Sequence, residues 1–116
     1  MSSIVFRKNG GFYSVYGDDT YILYYLFNYR IIDDRVGFTK NSFIKLVNVL
    51  DSKCINYDNV NFKKRNKYSK YVELGKRKHS IDYRIRCILD KINSLSEDKI
   101  DDILDYIENK LWMIDF

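Results

Sequence analysis

Apolar and polar positions along this chain follow two rhythms. Through about residue 60, short extended runs alternate with helical ones, and after residue 80 the 3-4 spacing of a helix runs to the end. Residues 4–6 predict a first strand, and residues 12–16 continue it or pair with it. Asp18 and Asp19 suit an N-cap and first helical turn. Residues 21–29 are apolar or aromatic nearly all round, with Ile22, Leu23, Leu26 and Phe27 on one broad face, and predict a well-buried helix. A short strand is expected at residues 29–32, a turn at Asp33-Asp34 and a glycine-marked bend at Val36-Gly37-Phe38. Ser42 is expected to cap a helix over residues 43–51, because Phe43, Leu46, Val47 and Leu50 share a face. Residues 54–57 predict a strand, 58–70 a polar loop or hairpin, and 71–74 a strand ended by Gly75.

Two helices close the pattern. One is expected over residues 80–93, with Ile81, Ile85, Ile88, Leu89 and Ile92 on one face. The other starts at a Ser96 cap and carries Ile100, Ile103, Leu104, Ile107, Leu111 and Ile114. The short connection at residues 94–96 predicts antiparallel packing. The expected fold is α+β: a small mixed β-sheet packed with helices and closed by a C-terminal antiparallel helix pair. A length of 116 residues suits a single domain over 1–116, with sheet and helices in 4–75 and the helical hairpin in 80–115.

Gly10-Gly11 interrupts the first extended run immediately before Phe12 and Tyr13. Glycine admits backbone conformations closed to other residues. The pair is therefore able to hold an aromatic ring at a strand end, where it could stack on a base; the alternative is an ordinary core phenylalanine.

Charge changes the picture more than composition does. Residues 1–62 net +1. Residues 63–86 hold ten basic side chains against Glu73 and Asp82, a net +8, and residues 87–116 net −5. The basic block interleaves with Tyr68, Tyr71 and Tyr83, a pattern that fits a surface tracking a nucleic-acid backbone. The alternative is a solvated surface whose lysines follow codon usage. The chain has no Pro, Ala or Gln and abounds in Ile, Asn, Lys, Tyr and Asp. That bias fits an A/T-rich genome, such as a low-GC bacterium, its mobile elements or a large DNA virus.

Several chemistries lack their residues. Cys54 and Cys87 are far apart, as expected of reduced thiols. His79 stands alone in a basic stretch, which suits a phosphate-side contact or a plain surface residue, and no metal or cofactor motif occurs. Asp18-Asp19, Asp33-Asp34 and Asp101-Asp102 are paired carboxylates of the kind that hold Mg²⁺ in nucleases. Helix start, turn and outer helix face account for them without catalysis, and no enzyme is expected. No apolar run reaches the roughly 20 residues of a membrane span, and no secretory leader is evident. A cytoplasmic protein is expected.

Over residues 4–60 the order of motifs resembles the N-terminal mismatch-recognition domain of the MutS DNA mismatch-repair family. The matching pieces are Ile4-Val5-Phe6-Arg7, Gly10-Gly11-Phe12-Tyr13, Tyr16-Gly17-Asp18-Asp19, Val36-Gly37-Phe38, the helix with Phe43, Leu46, Val47 and Leu50, and residues 55–60. The resemblance implies an α/β fold and a duplex-binding surface, with Phe12 at the position of the family's wedging phenylalanine. Wedging partly unstacks a base step and kinks the duplex. Ser14 stands where the family has its base-reading glutamate, Gly11 replaces an Asp, and Thr39 replaces a Pro. The clamp and ATPase parts of that family have no room here, so mismatch repair itself is not implied.

These features converge on a small non-enzymatic nucleic-acid-binding protein, with DNA the expected ligand. Phe12 and Tyr13 would contact bases, and Lys63, Lys64, Arg65, Lys67, Arg77 and Lys78 would neutralise phosphates. The competing expectation is a mobile-element or viral interaction module that engages a host protein through the acidic last helix. The apolar end at Trp112 to Phe116 is expected to pack on the domain or to form a homodimer contact.

Overall fold

The computed structural model describes residues 2–58 and 60–114. The fold is α+β, with three antiparallel strands and four helices. The chain divides into two compact units, Met1–Ser80 and Ile81–Phe116.

In the first unit, β1 (Arg7–Asn9) and β2 (Phe12–Tyr16) form a hairpin, and β3 (Arg35–Thr39) pairs with the other edge of β2. Gly10, at φ 63°, supplies the left-handed turn residue of the hairpin. In the second register Tyr13 faces Phe38 and Val15 faces Val36, so these four side chains share the inner face of the sheet. Helices α1 (Asp18–Phe27) and α2 (Lys40–Ser52) contribute Ile22, Leu23, Leu46 and Leu50 to the same interior. Val72 and Tyr68 come from the start of α3 (Tyr68–Asn93).

Several expected elements move. Residues 4–6 are not a regular strand, because side chains take the amides that a ladder would use. The Val5 amide donates to Asp19 Oδ2 (2.9 Å) and the Phe6 amide to Asp58 Oδ1 (3.1 Å). Ile4 makes an isolated parallel bridge to Tyr57 outside the sheet, whereas both pairings of the named strands are antiparallel, so the sheet itself is not mixed. Residues 54–57 likewise reduce to bridges at Tyr57. The strand expected over 29–32 shrinks to a bridge between Ile32 and Arg35. Val36-Gly37-Phe38 is the middle of β3 rather than a bend. Val36 and Phe38 are buried on either side of Gly37 with strand period, and the turn is at Asp33-Asp34, both at positive φ. Helix α2 starts at Lys40 after Thr39, three residues before the start expected from Ser42.

The largest departure is at residues 71–74, which are helical. Tyr68, Val72 and Gly75 are the buried face of α3. Gly75 does not end a strand. It lies so close to Tyr21 of α1 that an added Cβ would collide with the Tyr21 backbone carbonyl, and only glycine permits this approach. Helix α3 then continues into the second unit, where residues 94–96 join it to α4 (Glu97–Trp112). Helix α4 has no buried residue. Trp112, Met113 and Ile114 are exposed rather than packed on the domain, and Asp115 and Phe116 lie outside the described residues.

Candidate nucleic-acid interface

Strand alternation sends the first residue of β2 away from the core. Tyr13 and Val15 point inward, so Phe12, Ser14 and Tyr16 line the outer face, opposite Thr39, Gly37 and Arg35 of β3. Phe12 is 60% exposed. Its ring lines a groove of about 680 Å³ that also takes in Arg30, Asp33, Arg35 and Gly37. Gly37, lacking a side chain, leaves the centre of this face low. Four residues further along β2, the Arg7 guanidinium lies 5.2 Å from the centroid of the Tyr16 ring. This face therefore presents two aromatic rings, Arg7, Arg30 and Arg35, with Asp33 as a local opposing charge.

Tyr13 occupies the other side. Its ring stacks on Phe43 at 4.3 Å and on Phe38 at 5.8 Å, and meets the Phe6 ring edge-on at 6.3 Å. A ring held by three others belongs to the interior. Of the two rings, Phe12 is the one open on the outer face of the sheet.

The basic block is divided by its surroundings. Lys63, Lys64, Arg65 and Lys67 are exposed in the segment before α3, and among the described residues they form no ion pair. Asn66 ties that segment to the N-terminal arm by donating to the Ser2 carbonyl (2.9 Å). Phe12 is at the opposite end of the same arm, across from Asn9. None of these loop cations lines the Phe12 groove, whose basic residues are Arg30 and Arg35. Arg77 is exposed on α3. Lys78 is half-buried, with its ammonium 4.9 Å from the Tyr24 ring centroid and donating to Asn28 Oδ1 (3.3 Å). Lys76 pairs with Asp18 at 3.2 Å.

Two of the three tyrosines of the basic block, Tyr68 and Tyr71, pack into the first unit, whereas Tyr83 is exposed. Tyr68 is buried and its hydroxyl donates to Asp19 Oδ1 (2.5 Å). Tyr71 packs against Tyr25. His79 meets the rings of Tyr21 and Tyr24 edge-on, at 5.7 and 5.1 Å, and so works in the seam between α1 and α3 rather than as an open surface residue.

The first carboxylate pair is structural. Burial pushes the Asp19 carboxyl above its ordinary range, although the Tyr68 hydroxyl and Val5 amide partly oppose the rise by bonding the charged form. Burial and the hydrogen bond to Asp19 push the Tyr68 phenol far up in turn. Among the described residues no group of three or more His, Cys, Asp or Glu side chains is placed to hold a metal ion. No helix among them is long and apolar enough to cross a membrane.

Arg7, Tyr16, Arg30 and Arg35 were not candidates from the sequence. The signal for Tyr16 was available, since strand period from Phe12 places it on the same face. Arg35 required β3 to be recognised, and the glycine at position 37 hid that strand. Comparison with protein-family models, curated proteins and solved structures finds no match to this chain.

Proposed function

We propose that this chain is a small non-enzymatic nucleic-acid-binding protein that receives DNA on the outer face of its three-stranded sheet. The observation that carries this reading is the exposed Phe12 ring, which lines one groove with Arg30 and Arg35 on the outer face of the sheet. Aromatic rings next to guanidinium groups stack bases and neutralise phosphates together. The cations at Lys63, Lys64, Arg65, Lys67 and Arg77 extend the positive surface beyond the sheet and would track the backbone at a distance from the ring. The motif resemblance to the mismatch-recognition domain adds the wedge position of Phe12. The absence of its glutamate, replaced by Ser14, favours shape and stacking over reading of one base.

A gel-shift or anisotropy series tests this with duplex, mismatched duplex, single-stranded DNA and RNA probes at two salt concentrations. Affinity should fall with salt, with a log-log slope of about −0.9 for each duplex phosphate neutralised. Phe12→Ala should weaken binding by roughly 1–3 kcal/mol while leaving the fold intact, because the ring is outside the core. Tyr13→Ala should show the reverse, losing folding stability through the stack with Phe43. Unchanged affinity in a folded Phe12→Ala variant removes the ring from the interface. No binding to any probe at low salt removes the function.

A further inference from the structure

The groove beside Phe12 has a feature that rings and charges leave unused, the open edge of β3. The sheet ends at this strand. Bonds between β2 and β3 pass through alternate residues. The Gly17 amide donates to the Asp34 carbonyl (3.2 Å), and the Lys40 amide donates to the Gly11 carbonyl (2.9 Å). Even positions from 34 to 40 therefore face β2, and odd positions face out. Arg35 has the same sense, because its amide and carbonyl are both spent on Ile32, at 3.1 and 2.9 Å. Gly37 follows two residues later, opposite Ser14. Its amide and carbonyl both leave the ladder for the free edge, and Gly37 lines one groove with Phe12, Arg30 and Arg35. A Cβ added at Gly37 would stand 3.5 Å from Arg35 Nη2, so the missing side chain leaves room beside the guanidinium.

We infer that this groove takes in one unpaired nucleotide of single-stranded DNA, its base stacked on Phe12 and its pairing edge bonded to the Gly37 amide and carbonyl. The inference rests on the nucleic-acid reading above and selects the ligand within it. In a duplex each base face is covered by its neighbours and each pairing edge by the opposite base. An unpaired base frees both. Phe12 stands on the wall of a groove, so what it stacks on must project into the protein. The groove volume of about 680 Å³ is within the range of pockets that enclose a small ligand. Every base carries a donor next to an acceptor on its pairing edge, and the amide and carbonyl of one extended residue offer the matching pair. The site is therefore tolerant of sequence, as stacking is. Arg30 and Arg35 are the groove's cations for the flanking phosphates. Asp33 repels a phosphate and confines the strand backbone to those arginines.

Anisotropy titrations of the full chain compare labelled oligothymidine with the same strand annealed to its complement, at equal salt. The single strand should bind about tenfold or more tighter. Phe12→Ala should bring the two affinities together with the circular dichroism spectrum unchanged, since the ring is outside the core. Oligothymidine methylated at N3 of every base keeps its faces and its charge but loses the pairing edge, and should bind about fivefold more weakly. Thymidine monophosphate at the same nucleotide concentration should not displace the strand. A duplex bound as tightly as the single strand overturns this inference and leaves the DNA reading standing, whereas no binding to any probe removes both. A methylated strand held as tightly as the unmethylated one also overturns it. So does a preference for the single strand that survives Phe12→Ala, or displacement by the free monophosphate.

Discussion

The two units of this chain solve opposite problems with similar residues. The first surrounds its apolar side chains, and Ile4, Val15, Ile22, Leu23, Leu50 and Ile55 are fully buried. The second uses the same isoleucines and leucines at strict helical spacing, yet α4 buries none of its residues. The difference lies in what faces them. A sheet with helices on one side closes an interior within a single chain. Two helices alone have no third layer, so an equal apolar content is left at the surface. Apolar pattern therefore announces a core without saying whose atoms complete it.

The strongest way to break this contrast is at Gly75, where α1 and α3 touch through their backbones. Gly75→Ala should cost about 3 kcal/mol or more, because the methyl group meets the Tyr21 carbonyl rather than a movable side chain. Urea unfolding of the first unit reads this. A variant with an unshifted midpoint would show that the two helices do not need the contact.

Hydrogen exchange sharpens the contrast next. Amides in the middle of α1 should open only with the whole unit, whereas α4 should exchange by local opening at lower free energy. Equal protection in both helices would erase the distinction.

Asp19 gives the smallest effect and the most specific one. Asp19→Ala strands the Val5 amide and the Tyr68 hydroxyl and should cost about 1–3 kcal/mol. Asp19→Asn should cost less, since its carbonyl accepts from Val5 and its amide donates to Tyr68. The raised carboxyl means the folded chain holds this proton at a higher pH than the unfolded chain, whose value is near 3.8. The folded state then binds more protons in that window, and the contribution of Asp19 to stability falls as pH rises through it. Stability of wild type relative to Asp19→Asn should therefore decline from about pH 4 upward. A rising difference would reverse the assignment.

Much of this was legible in the residues. The turn at Asp33-Asp34, the α2 face through Leu46 and Leu50 and the hairpin at Ser94 to Ser96 follow from spacing and local preference. Glycines misled in both directions. Gly37 inside β3 looked like punctuation, and Gly75 looked like a strand end, because a missing side chain reads the same in a turn as in a tight crossing. The first strand was lost to two distant carboxylates, Asp19 and Asp58, whose reach no local window contains. The exposure of the Phe12 ring was legible because the glycine pair next to it is a local signal. Arg30 and Arg35 were not singled out, because their place in the same groove as that ring is a product of sheet register.

Asn56 has a consequence for how the cationic segment would meet any anion. Its side chain is buried, accepts from the Phe62 amide (2.5 Å) and donates to Asn61 Oδ1 (3.0 Å). The Asn56 backbone N–H donates to Asn66 Oδ1 (3.1 Å), and the Lys67 backbone N–H donates to the Cys54 carbonyl (2.8 Å). Lys63, Lys64 and Arg65 therefore ride on a short span clasped at both ends. Most of the backbone freedom such a segment would surrender on docking has already been given up during folding, so less of the attraction to a polyanion is spent on immobilising it.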